Sequence, residues 1–156
     1  MNTVFLGMTG EIWAVLGAIT AFLVAGIGTS IGMGKAGQAG AGVLAEDPGK
    51  FGTVMVLQAT NSTQAIYGFV VAFLIIAKIG AVDISVESGL MMFVSSLPTA
   101  FVGLVSALFQ GKITVSCMHM IAKRSDGLGR AVTLILMVEM FAIIALIVSI
   151  LIIGKV

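Results

Sequence analysis

Leu136-Met137-Val138-Glu139-Met140-Phe141-Ala142 places one carboxylate in the middle of an apolar run that extends from Ala131 to Ile153. A helix needs about 20 apolar residues to cross the roughly 30 Å hydrocarbon layer of a membrane, so this run is expected to be a transmembrane helix. An ionisable side chain at the centre of such a helix costs roughly 2.5–3.5 kcal/mol on insertion scales, and is normally kept where it performs a function. Glu139 is therefore the expected functional centre, with the rest of the chain built to serve it.

Working outward, the whole chain has the same character. Of its 156 residues 59% are hydrophobic and only 10% are charged, which is far from the composition of a soluble domain. Further apolar spans are expected from about Ile12 to Ala45, Phe51 to Ala77 and Gly89 to Ala122. The breaks between them are Glu46-Asp47-Pro48-Gly49-Lys50, the polar stretch Lys78 to Ser88 with Asp83 and Glu87, and Lys123 to Arg130. The expected fold class is thus an all-α membrane protein of four transmembrane helices, with no room for a soluble domain. The first and third spans are longer than a bilayer requires and should project beyond it. No basic region precedes the first apolar run, so that span is expected to stay in the mature protein rather than be cleaved as a signal peptide.

Sliding the chain against itself by 77 residues lays one half on the other without a gap. Gly26 falls on Gly103, Gly34-Lys35 on Gly111-Lys112, Ala45 on Ala122, Leu57 on Leu134, and Ala65-Ile66 on Ala142-Ile143. Two tandem copies of one helical hairpin follow, residues 1–80 and 81–156. At this offset Glu139 faces Ser62, so only the second copy carries the acid and one carboxylate serves two hairpins.

The first span interleaves Gly26, Gly28, Gly32, Gly34, Gly37, Gly40 and Gly42 with alanines. In lipid, small residues let helices approach closely, which is how membrane helices associate. A flexible linker is disfavoured, because no polar spacer separates the glycines. Gly26-Ile27-Gly28 is not a nucleotide loop, since no strand precedes it and phosphates there would lie in lipid, so no ATP site is expected in this chain. Cys117 has no second thiol, and His119 lies on a different helix face, so neither a disulfide nor a shared metal site is expected. Of the eight basic residues, Lys50, Lys123, Arg124 and Arg130 lie in the two hairpin loops and Lys35 and Lys112 nearby; only Lys78 and Lys155 lie on the other side. The positive-inside rule then puts both loops in the cytoplasm and both termini outside.

Inside the second span, Gln58, Thr60, Asn61, Ser62, Thr63, Gln64 and Tyr67 form a polar cluster, and Thr60, Thr63, Gln64 and Tyr67 share one helix face. The third span offers Gln110. Any one of these is explained by interhelical hydrogen bonding, worth about 0.6 kcal/mol. Concentrated opposite a lone carboxylate, their amide and hydroxyl oxygens make a set suited to a hard cation.

The duplicated hairpin, the glycine-rich first helix, Gln64-Ala65-Ile66-Tyr67-Gly68-Phe69 and Val138-Glu139-Met140 together resemble the proteolipid, or K, subunits of bacterial V-type sodium-transporting ATPases. The resemblance covers nearly the whole chain. It implies a rotor: identical copies in a closed membrane ring, turned against a stator membrane subunit by a central stalk that is driven by ATP hydrolysis in a soluble head. It also implies a sodium site made of Glu139, Gln110, Gln64, Thr63 and the backbone carbonyl of Thr60, with Tyr67 hydrogen-bonded to the glutamate. Members of that family can carry Pro-Gly before Thr-Gln, which loosens the helix and frees a carbonyl; Asn61-Ser62 stands there in this chain. The Thr60 carbonyl is accordingly the part of the set to check first.

The alternative cargo for the same rotor is a proton, because a carboxyl group facing lipid is also neutralised by protonation. A small independent channel or transporter is a second class of function, although its repeats are often inverted. Identical copies, the stator, the stalk at the charged loops, and lipid are the expected partners, and nucleic acid is not. The stalk is expected to meet Glu46, Asp47, Lys50, Lys123, Arg124 and Arg130.

Overall fold

In a computed structural model of the chain, residues 4–80 and 83–156 are described. Met1 and the boundary expected at residues 80 and 81 therefore fall at or beyond the edge of the described residues. Five α-helices are described: α1 (Gly10–Glu46), α2 (Phe51–Ala59), α3 (Thr63–Lys78), α4 (Val86–Lys123) and α5 (Leu128–Ile153). With α2 and α3 taken together, four helical segments are long and apolar enough to cross a membrane. α1 and α4 have 37 and 38 residues, which at 1.5 Å per residue is about 55 Å, so both outreach the hydrocarbon layer.

The one departure from the expected spans is in the second. It is not a continuous helix but breaks at a 3-10 turn, Thr60–Ser62. Both hairpin loops are also tight. Asp47 accepts a hydrogen bond from the Gly49 backbone at 3.0 Å and Pro48 opens a 3-10 turn, where its missing N–H has no cost. Lys50 then reaches across to the other hairpin and donates to the carbonyl of Ala122, at 2.8 Å. That carbonyl lies in the last turn of α4, where backbone acceptors lack helical partners and a cation is favoured. Lys50 is therefore turned inward, and is not a free charge at the loop surface as the sequence suggested. At the opposite end Lys78 does the same for α5, donating to Ile153 at 2.9 Å.

These two contacts place both loops at one end of the bundle and the ends of α3 and α5 at the other. α1 and α4 run side by side in the same direction. Gly17 lies against Phe93, Gly28 against Leu104 and Gly32 against Ala107. The approach is close enough to require glycine: a Cβ on Gly28 would sit 2.7 Å from the carbonyl oxygen of Leu104. α3 seats on α1 in the same way, where a Cβ on Gly68 would lie 2.5 Å from the carbonyl oxygen of Ala21. Gly17, Gly28 and Gly32 of the first span therefore serve backbone approach within one chain, whereas Gly26, Gly34 and Gly42 have nothing within 4 Å.

Two apolar clusters fill the bundle. One, near the chain ends, contains Ala14, Ala18, Ala21, Val71, Ile75, Met92 and Ile153. The other, near the loops, contains Val43, Val54, Leu57, Met118, Ile121, Ala131 and Ile135. Between them, along α3, α4 and α5, lies the polar level that holds Glu139. The outer surface is apolar, with Phe69, Phe73, Phe101, Phe109, Met137, Met140 and Phe141 all exposed. Such a surface belongs against lipid or against further helices.

Candidate ion-binding site

The polar level is assembled from the broken second span, the middle of α4 and the middle of α5. The break has a local cause. Thr60 Oγ1 donates back to the carbonyl of Leu57 at 2.7 Å, Asn61 Nδ2 to the same carbonyl at 3.2 Å, and Ser62 Oγ to Ala59 at 2.8 Å. Four consecutive hydroxyl and amide side chains thus compete with the backbone for helical acceptors, which tightens the turn. Asn61, 1% exposed, also pairs with Thr114 on α4: its Nδ2 donates to Thr114 Oγ1 at 3.0 Å. The Thr-Asn-Ser-Thr run therefore interrupts the α-helix with a tighter 3-10 turn without Pro-Gly, and the Asn61–Thr114 pair pins that turn against α4.

The Thr60 carbonyl of this turn faces the site. Thr60 O accepts from Gln110 Nε2 at 3.1 Å and from Thr63 Oγ1 at 3.3 Å. Gln64, fully buried, donates through Nε2 to Gln110 Oε1 and, at 3.3 Å, to Ser106 Oγ; its Oε1 lies 3.4 Å from Thr63 Oγ1, whose one proton is shared between this oxygen and Thr60 O. Glu139 is 5% exposed, and no charged partner lies beside it among the described residues. Its oxygens are met by Tyr67, whose hydroxyl donates at 2.5 Å, and by Gln110 Nε2 at 3.5 Å. A carboxylate so enclosed needs every contact it has, because an unpaired charge in a low-dielectric interior costs several kcal/mol.

The structure thus brings together all six residues singled out from the sequence: Thr60, Thr63, Gln64 and Tyr67 from the second span, Gln110 from α4 and Glu139 from α5. Gln58 contributes only a backbone carbonyl, to the Asn61 side chain at 3.5 Å. Two positions were missed. Ser106, one turn before Gln110, bonds Gln64 and also donates to the carbonyl of Val138 at 3.1 Å. Thr114, one turn after Gln110, holds Asn61. The signal for both was the four-residue spacing on either side of Gln110, which puts Ser106, Gln110 and Thr114 on one face of α4.

Chemically, the level offers one carboxylate and several neutral oxygens that hydrogen-bond one another in a closed network. Oxygens of this kind suit hard monovalent or divalent cations and have no use for soft metals. Cys117 takes no part: its thiol is buried beside the carbonyl of Ala131 at 3.8 Å. His119 is exposed.

Comparison with known proteins agrees with this architecture. The family model for the ATP synthase C-subunit matches twice, over residues 16–75 and 93–152, an offset equal to that of the internal repeat. The chain is 39% identical over 144 residues to the V-type sodium ATPase subunit K of Enterococcus hirae, covering 92% of each protein. It is 40% identical over 140 residues to the A-type ATP synthase subunit K of Methanocaldococcus jannaschii, covering 88% of this chain and 61% of that one. A multi-pass membrane protein with two matched repeats, this chain belongs to the ATP synthase C-subunit family, in the duplicated form of the K, or proteolipid, subunits.

Proposed function

We propose that this chain is the rotor-ring subunit of a V-type rotary ATPase and carries one sodium ion at Glu139 for each copy that passes the stator. The observation that carries the proposal is a single buried carboxylate in a membrane-spanning bundle, ringed by neutral oxygens, in a chain closely related to a sodium ATPase subunit. Glu139 is the charged ligand. Gln110, Gln64, Thr63 and the Thr60 carbonyl are the neutral ones, and Tyr67 steadies the carboxylate by its hydrogen bond. The sodium ion takes the place of the long N–H contact that Gln110 directs at Glu139, and Gln110 ligates through its amide oxygen. With the charge neutralised, that copy can face lipid.

In the proposed assembly residues 1–80 and 81–156 form the two hairpins of each copy. Copies close into a ring within the membrane, with the loops on the cytoplasmic side and the termini outside. The central stalk meets the loops at Glu46, Asp47, Lys123, Arg124 and Arg130, and the stator meets the face that carries Glu139. Positive charge concentrated at the loop end supports this orientation.

The test is chemical. A hydrophobic carbodiimide modifies a carboxyl group that is protonated and reachable from lipid, whereas a bound sodium ion requires the carboxylate. Sodium should slow modification of Glu139 in membranes, potassium at equal ionic strength should do so far less, and the protection should weaken as the pH falls. Labelling that follows pH alone, indifferent to sodium, would assign the proton as the cargo of the same rotor. Membranes carrying Glu139→Gln that still transport ions would refute the role of this residue altogether.

A further inference from the structure

The Ser106 hydroxyl departs from the usual pattern of hydroxyls in this bundle. Thr20, Ser30, Ser95, Ser96, Ser116 and Thr133 each donate back to a carbonyl three or four residues earlier on their own helix. That is the ordinary fate of Ser and Thr in a helix. Ser106 instead donates across to α5, to the carbonyl of Val138 at 3.1 Å, the residue immediately before Glu139. Thr99 also crosses to α5, but at Ala145 and Ser149, beyond the site. Ser106 at the same time accepts from Gln64 Nε2 of α3 at 3.3 Å. One buried hydroxyl, 5% exposed, thereby joins the helix of the carboxylate to the helix of an amide in the site.

The internal repeat supplies a comparison within the same molecule. At the 77-residue offset Ser106 corresponds to Thr29. Thr29 is also buried, at 6% exposure, yet its hydroxyl has no partner among the described residues. The first hairpin has no carboxylate at the level of Glu139 and leaves its hydroxyl idle; the second has Glu139 and uses its own.

A serine hydroxyl has one proton. Because Val138 takes it, Ser106 can only accept from Gln64. An amide turned the other way would bring Gln64 Oε1 against an oxygen with no hydrogen to give, which is unfavourable in a buried setting. We propose that Ser106 is a positioning residue for the ion site: by giving its proton to Val138 it fixes which end of the Gln64 amide faces the cation, and so sets sodium affinity without touching the ion. This rests on the sodium reading of the site given above.

The test compares Ser106→Thr with Ser106→Val, which have nearly the same shape and differ in the hydroxyl. Each would be made in the intact ATPase, in membranes, and read by the sodium concentration that halves carbodiimide modification of Glu139. Wild type and Ser106→Thr should agree, while Ser106→Val should need roughly three- to tenfold more sodium, the scale of one neutral hydrogen bond. The pH dependence of labelling without sodium should be the same in all three, because no group that contacts Glu139 has changed. Equal sodium midpoints for Ser106→Thr and Ser106→Val would overturn the proposal, as would a shift in the sodium-free pH profile, which would mean a general disturbance of the site. If the Ser106→Val complex does not assemble, Ser106→Ala and Ser106→Cys take its place under the same criteria. Wild-type membranes that sodium does not protect would refute the sodium reading itself and the role of Ser106 with it.

Discussion

Gln110→Ala tests the site through the residue that bonds the second span and the carboxylate at once. In the structure the Gln110 amide donates to Thr60 O at 3.1 Å and to Glu139 Oε2 at 3.5 Å, and accepts from Gln64. None of those partners would be orphaned by its loss. Thr60 O keeps Thr63 at 3.3 Å, Glu139 keeps Tyr67 at 2.5 Å and Gln64 keeps Ser106 at 3.3 Å. The ring should therefore still assemble, with the folded chain weaker by about 2–4 kcal/mol from truncation of a buried side chain and loss of its bonds. Sodium affinity depends on the difference between two states. With sodium bound, the lost group is an oxygen on a cation, worth about 1.5–3 kcal/mol as a charge-assisted contact. Without sodium, the lost group is an N–H to the carboxylate at the long limit of hydrogen bonding, worth less than about 1 kcal/mol. The difference of about 1–2 kcal/mol predicts sodium binding weaker by roughly 5- to 30-fold. Equilibrium binding of radioactive sodium to the purified complex measures it directly. A dissociation constant within about twofold of wild type would show that Gln110 does not contact the ion.

Other expectations follow from particular contacts. Tyr67→Phe removes the 2.5 Å hydrogen bond to Glu139 from the sodium-free and sodium-bound states alike, so sodium affinity should change by less than about threefold while ring assembly stays normal on native gels. Gly28→Ala should lower the thermal stability of the detergent-solubilised protein by about 1–3 kcal/mol, because its methyl would meet Leu104 O at 2.7 Å, whereas Gly26→Ala, with nothing within 4 Å, should not. Equal melting curves would refute the close packing of α1 on α4. Charge reversal of Lys123 and Arg124 together should uncouple ATP hydrolysis from sodium transport without changing sodium binding, whereas reversal of Lys50 should instead disturb the fold itself, since Lys50 holds the end of α4. Coupling ratios measured in reconstituted vesicles distinguish these outcomes.

The architecture was readable from the sequence because membranes leave a chain few choices. Apolar runs of the right length had to be helices, and the 77-residue repeat gave two parallel hairpins before any contact was known. Glu139 was legible for the same reason, being the one costly residue at the middle of a span. The helix break at Thr60–Ser62 was not legible as such. It arises from side chains donating to their own backbone, and the same residue types elsewhere in this chain, at Thr20 and Ser30, do so without breaking a helix. What differs is that four such residues are adjacent and one of them, Asn61, is held from outside by Thr114. Ser106 was hidden by a similar ambiguity: its composition suggests an ordinary buried serine, and only the positions of Val138 and Gln64 in space show its use. The inward turn of Lys50 likewise depends on where the other hairpin ends, which no local pattern encodes.

The contacts along α5 bear on how an ion would leave the proposed site. From the loop end outward, the helix is tied at Ala131 by Cys117, at Val138 by Ser106, at Ala145 and Ser149 by Thr99, and at Ile153 by Lys78. The shortest of these, Thr99 to Ser149 at 2.8 Å, is buried. Fastened at intervals along its length, α5 behaves as a strut, and swivelling it to expose Glu139 would break several ties at once. The carboxylate itself is fastened only by Tyr67 and a long contact to Gln110. In the proposed rotor, ion release would therefore belong to the Glu139 side chain, held by two contacts, and not to a swivel of the helix that carries it.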